Sequence, residues 1–234
     1  MPTRFSFAIL MLLAAGSAHA GAWLQPAGKG LYIEQARYFT STGFFDVDGQ
    51  KQSQARFTKY ELQPYIEYGA TDWLTIGGTA FLQRVGQSGQ HNNGIADPEI
   101  FARSVLWRDE TQLISLPPMI IFASHFLDSG TPRGGQRSTD AELALLYGRN
   151  FTLFSPNDYL DTRTGYRVRS NGRSNEWRND TAIGLNVSDT IQIIPAIRSV
   201  VATDLTEASA FSQNGDLDAT SLTAEIGGLY RLND

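Results

Sequence analysis

Cysteine is absent from all 234 residues, so no disulfide, thiolate metal site or lipidated cysteine anchor is available. Basic residues are in deficit: 19 Lys plus Arg against 24 Asp plus Glu leave a net charge of −5, the wrong sign for a nucleic-acid binder or a basic membrane-surface protein. Histidine occurs three times, too sparsely for an ordinary transition-metal centre. Beyond residue 20 nothing approaches the roughly 20 uninterrupted apolar residues of a membrane helix. Helical spacing is nearly missing too, and no glycine-rich phosphate cradle occurs. No cofactor and no metal are expected.

The first residues point to export. Arg4 supplies a positive start, Phe7–Ala15 an apolar run too short to span a bilayer, and Ala18-His19-Ala20 the small-x-small pattern that precedes a cut. Residues 1–20 therefore read as a signal peptide, against the alternative of a buried N-terminal helix, and residues 21–234 as one mature domain beginning at Gly21. Phe and Tyr number 13 and 9 and together outnumber Lys plus Arg, as expected where aromatic girdles meet lipid headgroups.

Period-two alternation dominates the mature chain. In Arg56–Ala70, Tyr60, Leu62, Pro64, Ile66 and Tyr68 fall on one face of a strand, and Lys59, Glu61, Gln63, Tyr65 and Glu67 on the other. The division recurs. Leu74, Ile76 and Leu82 oppose Thr75, Gly77 and Thr79; Leu143, Leu145 and Tyr147 oppose Glu142, Ala144 and Gly148. Tyr166 and Val168 oppose Arg163, Arg167 and Arg169; Trp177, Ile183 and Leu185 oppose Glu176, Arg178 and Asp180; Leu222 and Ile226 oppose Glu225. Weaker alternation marks 31–40, 96–107, 112–123 and 191–202. About ten strands result, each near the ~9–11 residues of a tilted membrane strand.

Tight polar turns are expected at Gly69–Asp72, Arg108–Glu110 and Ser188-Asp189, with longer Gly/Ser/Asn-rich loops at 41–55, 85–94, 124–139 and 203–217. Short turns alternating with long loops is the layout of an outer-membrane barrel, although a longer junction at Arg149–Asp158 sits where a tight turn is due and a short loop at Asn171–Ser174 where a long one is due. Pro64, Pro117, Pro118 and Pro195 each remove a ladder hydrogen bond and should sit at a boundary, at a bulge or facing the lumen. The fold class expected is all-β, an antiparallel transmembrane β-barrel in the cell outer membrane. A soluble periplasmic β-protein is the fallback.

Several segments carry a family resemblance: Ala22-Trp23 with Gly28-Lys29-Gly30; Tyr65–Gly69 followed by Thr71–Gly77; Leu146–Arg149; and Gly165-Tyr166-Arg167 with Arg169, Glu176, Arg178 and Asp180. On these the chain resembles the proteobacterial outer-membrane β-barrel family of meta-pathway phenol-degradation proteins and its uncharacterised relatives. The resemblance implies a barrel, a channel for small molecules, and no catalytic residues. One departure is that such barrels finish on an aromatic residue, whereas this chain stops at Leu232-Asn233-Asp234, which reads as a shortened twelve-stranded barrel.

The leading constellation is a charge ladder. Arg163, Arg167 and Arg169 share a face, as do Glu176, Arg178 and Asp180 on the next strand, so a hairpin would bring them together inside the barrel, with Glu61 and Glu67 as further lining. Such a ladder can select ions or fill a narrow lumen with ion pairs. The expected function is a passive pore or transport component for small solutes; the alternative is a structural or surface-interaction barrel with a plugged lumen. The partners expected are membrane lipid, the outer-membrane assembly machinery and small-molecule solutes, with no nucleic acid. An outer-membrane hydrolase ranks lower. Ser124 and His125 would point to opposite faces of a strand, and His91 lies in a polar stretch with no acidic residue close by. Asp46-Val47-Asp48-Gly49 resembles the start of a calcium loop, but the twelfth position is Phe57, where a bidentate Glu is needed.

Overall fold

Alternating apolar and polar residues give the chain two-faced strands, and hairpin turns between them put each strand beside its sequence neighbour. The computed structural model describes residues 10–11, 21–45, 50–122, 125–126, 139–170, 173–203 and 221–230. The strands are β1 (Leu10–Met11), β2 (Gly30–Phe45), β3 (Lys51–Thr71), β4 (Leu74–Gln87), β5 (Gln90–Arg108), β6 (Gln112–Leu116), β7 (Pro118–Ile121), β8 (His125–Phe126), β9 (Asp140–Phe151), β10 (Asp158–Val168), β11 (Glu176–Asn186), β12 (Ile191–Ala202) and β13 (Ser221–Tyr230). They form one sheet in the order β1-β2-β3-β4-β5-β6-β9-β10-β11-β12-β13, with β7 between β5 and β9 and β8 against β5. All pairings are antiparallel except the two-residue β1, parallel to β2 within the expected leader. Counting β6 and β7 as one interrupted strand and setting β1 and β8 aside, the described residues hold ten strand positions. The all-β antiparallel fold is the one the alternation implied.

The sheet is inside-out relative to a water-soluble core. Glu142 is 3% exposed and Arg103 1%, whereas Leu143 is 54% exposed and Ile66 55%. Along β3, Glu61, Gln63, Tyr65 and Glu67 are buried while Tyr60, Leu62, Ile66 and Tyr68 are exposed.

What buries the polar face is curvature around the segment 21–29. Ala22 N–H donates to Asp161 of β10 (2.8 Å), and Gln25 N–H to Thr75 of β4 (2.9 Å). Four inter-strand steps separate β4 from β10, roughly 19 Å if the sheet were flat. Three residues extend at most ~11 Å, and the rest would have to come from two short side chains leaning toward each other; a sheet curved round the segment brings the anchors within reach directly. Between those anchors Arg103 of β5 donates to the carbonyls of Gly21 and Trp23 (2.7 Å for the latter), and Ser115 of β6 to that of Ala22 (3.0 Å). A Cβ on Gly148 of β9 would press on Ala22 and the Trp23 ring at 3.0 Å. The segment leaves through a turn, Lys29 N–H to Pro26 O at 2.9 Å, with Gly28 at φ 74° where an L side chain is strained.

Two connections depart from expectation. The loops expected at 41–55 and 85–94 are mostly strand: β2 runs to Phe45 and β3 starts at Lys51, while β4 and β5 meet in a two-residue turn. That turn is Ser88 (φ 53°) and Gly89 (φ 78°), the left-handed pair whose twist suits a hairpin. Lys51–Ala55 and Gln90–Gly94 carry no apolar side chain larger than alanine, and Phe44 and Phe45 are adjacent in sequence instead of two apart, so these ends show no alternation that distinguishes strand from loop. The stretches 127–138 and 204–220, which hold most of the other two expected loops, and Asp46–Gly49 lie outside the described residues.

The prolines sort by position. Pro117 faces inward, between β6 and β7, without breaking the register on β5 or β9. Pro64 faces outward opposite the irregularity at Thr79/Phe81; there Thr79 Oγ1 donates to the Pro64 carbonyl (2.9 Å). Pro118 and Pro195 correct the expectation, since both face outward within the sheet. At Pro195 the β11–β12 ladder lapses between Ala182↔Ala196 and Leu185↔Ile193, while β12 still pairs with β13 at Ile226.

Side chains lock the turns. In the β5–β6 turn Asp109 accepts from the backbone N–H of Thr111 and Gln112, both at 2.8 Å, and these bonds hold its carboxyl below the usual range. In the β9–β10 turn Asp158 Oδ2 accepts from the N–H groups of Leu153, Phe154 and Ser155, and Oδ1 from Asn186 N–H on β11. Asp158→Ala strands these donors at once. It is expected to lower the denaturant midpoint clearly, and Asp158→Asn to lower it less, as read by unfolding monitored through Trp fluorescence.

Candidate functional site

The concave face carries the charge. All eight residues singled out from the sequence lie on it: Glu61 and Glu67 on β3, Arg163 and Arg167 on β10, Arg169 just beyond its end, and Glu176, Arg178 and Asp180 on β11. The β10–β11 register sets Arg163 opposite Asp180, Gly165 opposite Arg178 and Arg167 opposite Glu176.

The ion pairs nevertheless follow another route. Arg163 and Arg167 both turn away from β11 to Glu142 on β9, where Arg167 Nε lies 2.8 Å from Oε2. Arg167 also approaches Glu99 of β5 at 3.9 Å, across the width of β6/β7 and β9. Arg169 alone pairs within the expected hairpin, with Glu176, and it also reaches Asp140 at 3.5 Å. Asp180 meets Arg198 of β12 at 3.9 Å, and Arg198 meets Glu225 of β13 at 3.2 Å. Arg178 makes no hydrogen bond and no ion pair among the described residues, although it sits amid these groups. The residues missed in the sequence are thus Glu142, Glu99, Asp140, Arg198 and Glu225. Alternation put Glu142 and Glu225 on the polar face; nothing in the sequence said which strand each would answer.

Two further clusters complete the interior. Toward the β2–β3 hairpin, Glu61 accepts from Arg37 (3.0 Å), Lys59 (3.2 Å) and Gln83 (2.6 Å). Near the 21–29 segment, Glu67 pairs with Arg103, accepts from Tyr65 Oη and accepts from Gln25 Nε2 (2.7 Å). Arg103 therefore ties Glu67 to the carbonyls of Gly21 and Trp23, and the segment becomes part of the polar filling. In the sequence its Ala22-Trp23 and Gly28-Lys29-Gly30 residues carry only a family likeness.

The convex face is apolar, with two tiers of aromatic rings. Tyr38 and Tyr60 pack at 4.9 Å and Tyr166 and Trp177 at 5.0 Å in one tier; Tyr32, Tyr68, Trp73, Trp107 and Tyr147 lie nearer the tight turns. From Tyr60 to Tyr68 the strand advances about 26 Å.

Of the histidines weighed for hydrolysis, His91 is exposed beside the Ser88-Gly89 turn, Ser124 lies outside the described residues, and only the backbone of His125 is described, in β8. Among the described residues no group of three or more His, Asp or Glu is placed to hold a metal ion, and no helix is long and apolar enough to cross a membrane. No family model, no curated protein and no solved structure matches this chain.

Proposed function

We propose that the chain is an outer-membrane barrel protein that acts as a narrow passive conduit for small solutes, with the charged concave face as its lining. The reading is carried by the inverted polarity of one continuous sheet: charged side chains buried on the concave face, Leu, Ile and aromatic side chains exposed on the convex one. Water would not leave such a convex surface bare, because contiguous apolar patches of that extent on soluble proteins are covered by a partner or a membrane. The tiered aromatics suit a hydrocarbon band with an interface at either side, and the signal-like residues 1–20 supply the route of export. Arg178 makes no ion pair among the described residues and so is a lumen side chain available to a passing ion.

A second reading has its own observation. The 21–29 segment and the Glu67–Arg103 and Glu142–Arg163–Arg167 groups occupy the interior, as in small barrels filled by side chains. On that reading the barrel is a plugged scaffold whose activity lies in its outer connections. Reconstitution into a planar bilayer separates the two. The conduit predicts small discrete current steps, and Arg178→Glu should shift their ion preference toward cations. A silent bilayer with correctly folded protein sinks the conduit and leaves the scaffold. The family likeness to meta-pathway phenol-degradation barrels is compatible with either reading and identifies no solute.

A further inference from the structure

Asp161 is a carboxylate without a cation. It projects from β10 toward the lumen, its single hydrogen-bond partner is Ala22 N–H at 2.8 Å, and no Lys or Arg lies within ion-pair distance of it among the described residues. Yet everything around it is fitted closely. A Cβ on Gly21 would overlap the Asp161 carboxylate, so a side chain at that position would push the carboxylate aside. Arg103 holds the carbonyls of Gly21 and Trp23, and Ser115 that of Ala22, so the backbone is pinned on the side opposite Asp161. Arg103 itself is spent on Glu67 and those carbonyls. An ionised carboxylate removed from water with one neutral donor is incompletely compensated, and such groups are ordinarily paired.

The missing cation is supplied by processing. We infer that Asp161 is the binding site for the α-ammonium of Gly21, generated when a leader-removing protease hydrolyses the Ala20–Gly21 bond, and that this ion pair latches the 21–29 segment across the lumen. The inference rests on the export reading above. Hydrolysis adds one water across the amide: Ala20 keeps a carboxylate, and Gly21 gains an amine that takes up a proton at neutral pH, since such amines titrate near 8. Before the cut the same nitrogen is a neutral amide with Ala20 attached. Nitrogen and the missing Cβ are substituents of the same Cα, so a rotation about the Gly21 Cα–C bond that exchanges their positions brings the ammonium to the carboxylate, a movement open to a chain end. Maturation thus converts a weakly held segment into a charge-paired one, and glycine after the cut lets the new terminus lie against the Asp161 carboxylate.

The test begins with the intact mass of protein recovered from membranes of the expressing cell, which should correspond to a chain starting at Gly21. Retention of residues 1–20, or a start elsewhere, overturns the inference. Next, four refolded proteins are compared by urea unfolding in detergent: the chain from Gly21, the same chain preceded by His19-Ala20, and each with Asp161→Asn. Asp161→Asn in the chain from Gly21 should raise the equilibrium constant for unfolding about tenfold or more, the range of a charge-assisted pair. The two-residue extension should produce a comparable loss, and the two changes together no more than either alone. Additive losses, or an extension without effect, overturn the latch. Either result leaves the bilayer recordings untouched, so failure of the latch and failure of the conduit are told apart.

Discussion

Replacing Glu142 with alanine is expected to be among the most damaging single changes in this protein, costing about 3–5 kcal/mol because it leaves the buried Arg167 and the half-buried Arg163 charged and without their shared counter-ion. Glu142 is 3% exposed and Arg167 4%, so water cannot easily take the carboxylate's place. Glu99, at 3.9 Å from Arg167, is too distant to substitute fully. The measurement is the midpoint and slope of urea unfolding for protein folded into lipid vesicles. A triple replacement, Glu142→Leu with Arg163→Leu and Arg167→Leu, removes all three charges together and should recover most of the loss. If Glu142→Ala alone unfolds at the native midpoint, the interior is wetter than the described packing allows, and the ion-pair lattice is not what holds β5, β9 and β10 at this level.

A lysine at Ile66 tests the opposite face. Ile66 points outward on β3 between the tiers marked by Tyr60 and Tyr68 and is 55% exposed. In hydrocarbon such a charge costs roughly 2–4 kcal/mol near mid-depth and ~0–1 near the interface. Ile66→Lys should therefore lose several times more stability than Ala70→Lys, which lies on the same face beyond Tyr68. Were the convex surface bathed in water, lysine would be tolerated at both sites alike. Equal, small losses at the two positions would end the membrane reading without touching the description of the sheet.

How far the amino-acid sequence discloses this architecture depends on depth. Where a strand has one apolar and one charged face, as in Tyr60–Tyr68 or Leu143–Tyr147, side-chain alternation is enough to place each residue inside or out. Where strands continue past the apolar tier, as at Lys51–Ala55, both faces are polar and the segment resembles a loop. The charge ladder was legible in its facing but not in its pairing. Arg163 has Asp180 as its neighbour across the hairpin, yet its guanidinium goes to Glu142 on the other side. A long flexible side chain on a concave surface can reach several strands, and strand order alone does not choose among them. The 21–29 segment was the least legible part. Its glycines, proline and isolated tryptophan have no periodicity, and only the sheet curling round it gives it a place.

That placement constrains the order in which the molecule can come together. Every long strand finds its mate next to it in the chain, so ribbons can zip in succession at little loop-closure cost. Gly21–Gln25 is the exception: its anchors lie on β3, β4, β5, β6 and β10, the last of them 139 residues away from Ala22. The docking of this early stretch therefore cannot be completed until Asp161 has been delivered. A segment made early is finished late.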